Sequence, residues 1–149
     1  MILIILERKM IKIIIDKKTP SINHLYGHNN LGHFYLKKEG KELRKYIFEK
    51  IKDHISKDEL KNFQNVKLSV TVEIHENWYT KKRAVKKKDV ANREKFLIDS
   101  VFNALGLDDC FIFEHVMRKV QSDEEKAMII IKGYFAKTKS LNTNKNYLY

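Results

Sequence analysis

The chain is poor in residues that staple or punctuate a fold: its 149 residues include one cysteine, one proline, five glycines and one tryptophan. The single cysteine, Cys110, excludes an internal disulfide, and no CxxC pair or Cys/His cluster at metal spacing points to structural zinc. So little proline and glycine argues against collagen-like, disordered or repeat architecture. No hydrophobic run is long enough to cross a membrane. The apolar opening, Met1 to Leu6, is interrupted by Glu7, Arg8 and Lys9, and no small-residue cleavage site follows. The expectation is a cytoplasmic protein with no membrane partner.

Acidic residues are also scarce: 19 Asp and Glu stand against 30 Lys and Arg, a formal charge of +11. Such an excess favours polyanionic partners, nucleic acid first, through long-range attraction and counterion release. An AT-rich coding sequence would also yield much Lys, Ile and Asn without any ligand. The length suits one domain over residues 1–149. Met10 opens its own strand-like run, so the first nine residues read as an upstream-start extension, and residues 137–149, without a period, as a loosely ordered tail.

Periodicity gives the elements. Ile11 to Ile15 is a β-branched run closed by Thr19-Pro20-Ser21. Asn23 to Phe34, with three histidines, three asparagines and two glycines, reads as an irregular polar loop. Leu43, Tyr46, Ile47 and Ile51 make one face of a helix over Lys41 to Ile55. Val66, Leu68, Val70, Val72 and Ile74 alternate with polar residues as a half-buried strand. Ala91 to Leu105, stopped by Gly106, reads as a second helix. Phe111 to Val120 and Ala127 to Phe135 read as an antiparallel pair joined through Ser122 to Glu125. The fold class expected is α+β, a small mostly antiparallel or mixed sheet of about four strands with two main helices.

The chemistry concentrates between residues 81 and 109. Lys81, Lys82 and Arg83, then Lys86, Lys87 and Lys88, cannot enter a core and must stay solvated or meet phosphate. Asp89, Asp99, Asp108 and Asp109 follow from a loop, a helix and a second loop. Clustered carboxylates are the usual holders of hard divalent cations such as Mg²⁺, which activate water and stabilise charge on phosphorus oxygens. The histidines His24, His28 and His33 sit in the irregular loop without matching acid spacing. Trp78 and Tyr79 either stack on unpaired bases or close a core or a dimer interface.

The segment Lys88-Asp89-Val90-Ala91-Asn92-Arg93-Glu94-Lys95, with Asp99 and then Asp108-Asp109, resembles the signature of the RusA-like Holliday junction resolvases. That signature is a basic run, D-x-D-N-x-x-K, an aspartate one turn on and an Asp-Asp pair. Pro20-Ser21-Ile22-Asn23 with Tyr26, and Tyr35-Leu36 with Gly40, resemble the family's earlier segments, so the likeness runs from about Met10 to Phe135. It implies a RusA-like fold and a homodimeric, Mg²⁺-dependent endonuclease that recognises four-way DNA junctions and nicks opposing strands. It implies that Asp89 and Asp109 hold the metal with Asp108 beside them, and that Lys95 is catalytic. Lys81, Lys82, Arg83, Lys86, Lys87, Lys88, Asn23 and Asn92 then serve DNA binding.

One position departs from the pattern: Ala91 stands where the family has a metal-binding aspartate, and alanine coordinates nothing. The change is either natural divergence or a deliberate inactivating substitution, and the expected consequence is weak metal binding and slow or absent cleavage unless Glu94, Asp108 or a second site compensates. A non-catalytic binder of branched DNA, or a basic RNA-binding protein, are the alternatives. Asp99 reads equally as a surface acid, and Asp108 as a turn cap that leaves Asp109 alone functional.

Overall fold

Alternation in the chain's clearest strand sets the core. In the computed structural model, which describes residues 1–7 and 10–134 apart from the side chains of Leu6, Glu7, Ile22, Asn23 and Asn92, strand β5 (Leu68–Glu76) turns Leu68, Val70, Val72 and Ile74 inward. Glu76, beyond the expected end, lies on the same buried face. β2 (Met10–Ile15) supplies Ile11, Ile13 and Ile15 to that face, and β7 (Lys126–Gly133) supplies Ala127, Ile129 and Ile131. With β1 (Ile2–Glu7) and β6 (Ile112–Gln121) they form a five-stranded sheet of order β1-β2-β7-β5-β6. Every neighbouring pair is antiparallel except β5 and β6, which run parallel.

One sequence expectation changes here. Residues 112–121 and 126–133 are not paired with each other, because β5 lies between them. β5 stops at Glu76, and the short connection crosses its end, where the Ser122 N–H donates to the Glu76 carbonyl at 3.1 Å. A few residues at about 3.3 Å each suffice to step over one strand. Pattern alone cannot separate this from a hairpin, since the two strands still run in opposite directions. Ahead of Met10, Ile2–Glu7 is strand β1, in register with β2 from Ile2↔Ile15 to Glu7↔Met10, with Ile2 buried.

The helices cover one face of the sheet. α2 (Lys38–His54) buries Ile47 and Ile51, and α3 (Ala91–Leu105) buries Phe96, Leu97, Val101, Phe102, Ala104 and Leu105. α3 keeps the bounds its apolar stripe predicts. Gly106 ends it with φ +66°, a left-handed cap that favours glycine. Truncating Leu97 to alanine would cost about 2–5 kcal/mol as its transfer and cavity penalties add.

Residues 23–34 are more ordered than their composition predicts. A single helical turn, α1 (Ile22–Leu25), leads into a hairpin of β3 (Tyr26–His28) and β4 (Phe34–Leu36). The Asn29 side chain accepts from the Leu31 and His33 N–H groups, and Gly32 sits at φ +76°. Three-residue strands are too short to show alternation, so only the turn chemistry was readable. Residues 137–149 lie outside the described residues.

Candidate nucleic-acid and metal site

α3 enters the sheet at the end of β5, and the chemistry there begins with a buried acid. Glu76, 2% exposed, is bonded to the guanidinium of Arg93 and, at 2.8 Å, to the ammonium of Lys88. Burial pushes the Glu76 carboxyl up, but hydrogen bonds and charge from Arg93 and Lys88 outweigh it and hold the group below its ordinary range. Trp78 packs over the cluster, with Arg93 5.6 Å and Lys119 4.8 Å from its ring. Its indole N–H donates to the Ile74 carbonyl, so the ring is core and offers no face to a base. Lys119 in turn donates to the Lys88 carbonyl at 2.6 Å. This framework fixes the head of α3.

Asp89 projects from that head and is exposed. One carboxylate oxygen accepts from the Ala91 N–H at 3.0 Å, leaving the other free toward solvent. A cavity of about 560 Å³ opens beside it, lined by Lys18, Ser21, His24, Glu39, Lys87 and Arg93 among others. Ala91, exposed as the first residue of α3, stands next to Asp89 where an aspartate would add a second carboxylate. Glu94, one turn further, pairs with His115 at 3.3 Å. Burial raises its carboxyl above the ordinary value, His115 opposes that, Asp99 adds to it and Lys95 opposes it.

The basic run divides into two sets. Tyr79 pairs with Val85, and the Arg83 N–H and Thr80 carbonyl close a tight turn in which Arg83 adopts φ +60°. Lys81, Lys82 and Arg83 therefore cap an exposed arm, and Lys87 is exposed at its base. Lys86 and Lys88 are tied to the framework: Lys86 donates to the Asn77 carbonyl at 2.7 Å, and Lys88 holds Glu76. Asn23 and Asn92 fall on α1 and α3, and their side chains lie outside the described set.

The remaining candidate acids gather toward the other end of α3 and just beyond it. Asp99, Asp108 and Asp109 line a second cavity of about 450 Å³ with Gly106. Asp108 accepts from the Cys110 N–H at 2.9 Å, which lowers its carboxyl, and this is the turn-capping geometry. Asp109 opens the short 3-10 turn before β6 and is exposed. Asp99 pairs with the well-exposed Lys95 at 3.5 Å.

Asp89 and Asp109 thus belong to different cavities, one before the head and one past the tail of a 15-residue helix about 22 Å long. Among the described residues no group of three His, Cys, Asp or Glu is close enough to hold a metal ion. Within one chain the described acids do not assemble the metal site that the family resemblance implies. His28 packs on Phe34 at 4.2 Å, and His24 lines the Asp89 cavity. Sequence reasoning missed Glu76, Arg93 and His115. Glu76 had one signal: it continues the inward register of Leu68 to Ile74, an acid where the pattern demands an apolar residue.

The described residues include no helix long and apolar enough to cross a membrane. A family model described as endodeoxyribonuclease RusA matches residues 17–132. Comparison with curated proteins finds no match.

Proposed function

The chain belongs to the RusA endodeoxyribonuclease family, whose members resolve Holliday junctions, and we propose that it acts on four-way DNA junctions as a homodimer whose two sites are each completed across two copies. The observation that carries this is the separation of Asp89 from Asp109 along α3. Two carboxylates set before the head and past the tail of a helix about 22 Å long do not share one cation, whereas a twofold axis can set the head of one α3 beside the tail of the other. Asp89 of one copy and Asp109 of its partner would then hold Mg²⁺. Bound there, the metal would polarise the phosphate and supply activated water.

The chain's own groups have distinct tasks in this reading. Lys81, Lys82, Arg83 and Lys87 meet the phosphate backbone, giving affinity without reading sequence. Lys95, solvated and tied only to an i+4 acid, turns to the scissile phosphate and opposes its developing charge. Lys86 and Lys88 support the framework under Asp89. Ala91 removes one ligand beside Asp89, so the chain binds metal weakly and cleaves slowly or not at all.

That same alanine favours a second reading, a binder of branched DNA without activity. Cleavage of a labelled four-way junction in Mg²⁺ by this chain and by Ala91→Asp, with junction binding in EDTA, separates the two. The resolvase reading expects both proteins to bind and Ala91→Asp to cut. Binding by both with cutting by neither would leave only the binder.

A further inference from the structure

Strand β6 is ten residues long and lies at the edge of the sheet, paired to β5 on one side and, among the described residues, to nothing on the other. Strands average five or six residues, and free edges are normally short or blocked by proline or a covering element. β6 has no proline, and it carries two large apolar side chains in the open, Phe113 at 54% and Met117 at 40% exposure.

We propose that β6 pairs antiparallel with β6 of a second copy, in the one register where its charges complement themselves. The inference rests on the homodimer reading above and says which surface makes it. In a twofold antiparallel pair, facing residues have numbers that sum to a constant. Only even sums keep inward residues opposite inward ones, because a slip of one residue exchanges the faces. With Val116 on the axis, Glu114 faces the partner's Arg118 twice over, and His115 faces the partner's Met117. Moving the axis to Met117 opposes His115 to the partner's Lys119. Moving it to Arg118 or Glu114 sets like charges directly against each other, and with His115 on the axis Glu114 faces the partner's Val116. Glu114 and Arg118 both project from the face away from the helices, where they also reach Ser69 and Glu73 across β5, and both are exposed.

This register has a consequence for the site. Asp109 lies just before β6, and the Lys88–Asp89 segment is tied to its far end through Lys119. Antiparallel pairing therefore brings Asp109 of one copy toward Asp89 of the other at both ends of the joined strands. Because the axis runs through the sheet, both pairs fall on the helix-covered side.

The test uses the full chain in a Cys110→Ser background. Facing residues on paired strands lie about 4.5–5.5 Å apart at Cα, within disulfide range. Val116→Cys should cross-link to a dimer under mild oxidation, whereas Val120→Cys should not. In sedimentation, Glu114→Arg should weaken dimerisation about tenfold, as should Arg118→Glu, and the double exchange should restore it. A dimer that forms without the Val116→Cys cross-link, and ignores Glu114→Arg, would overturn the edge pairing while leaving the homodimer intact. A chain that stays monomeric at every concentration would overturn both. Neither result depends on metal or cleavage.

Discussion

The two ends of α3 are built on opposite plans. At its head, a buried carboxylate, Glu76, is neutralised by Arg93 and Lys88, roofed by Trp78 and linked to β6 through Lys119. At its tail, Asp99, Asp108 and Asp109 stand around an open cavity, and Asp108 is occupied by its own turn. The head is an internally compensated framework that presents one acid and a basic arm. The tail presents acids with little beneath them. In the proposed dimer, each would supply what the other lacks.

The largest effect should come from restoring the head. Ala91→Asp should raise Mg²⁺-dependent junction cleavage on the order of 10²–10³-fold, the worth of several kcal/mol of transition-state stabilisation. A rate indistinguishable from that of the chain as it stands would leave only the branched-DNA binder. Next comes stability. Glu76→Ala strands the nearly buried Arg93 and should cost about 3–5 kcal/mol in urea unfolding, whereas Asp109→Ala at the exposed tail should stay within about 0.5 kcal/mol. Equal costs would mean that the head is no framework.

A smaller effect separates the two sets of lysines. Replacing Lys81, Lys82 and Arg83 together by alanine should reduce the slope of log affinity against log salt by about 0.9 for each phosphate that the arm no longer neutralises. Lys86→Ala should leave the slope unchanged, because that ammonium already serves the Asn77 carbonyl. The smallest effect is in pH. Glu76 is held below its ordinary range, so its contribution is complete above about pH 4.3, the unfolded value, and is lost as pH falls through the lower folded value. Glu94 is raised, so the folded state holds its proton more tightly and stability falls as pH climbs through the ordinary carboxylate range. Thermal melts of Glu76→Gln and Glu94→Gln across pH 3 to 8 should therefore lose slopes of opposite sign.

Long periodic segments were legible in the sequence. The stripe of α3 and its Gly106 stop gave that helix as found, and alternation gave the inward face of β5. The order of strands was not legible, because a strand inserted between β6 and β7 leaves their own patterns unchanged. The candidate acids were legible by type and spacing, yet spacing along a chain cannot say that a helix of about 22 Å holds two of them apart. Glu76 was hidden for a related reason: its partners, Lys88 and Arg93, lie twelve and seventeen residues away and meet it only in the fold.

Completion of the site across two copies is tested most directly by mixing inactive chains. In an Ala91→Asp background, Asp89→Asn and Asp109→Asn should each be silent on a four-way junction. Mixed so that subunits exchange at random, half of the dimers are mixed, and each mixed dimer regains one site, so nicking should return to roughly a quarter of the parental level. A mixture that forms mixed dimers and stays silent would contradict the account.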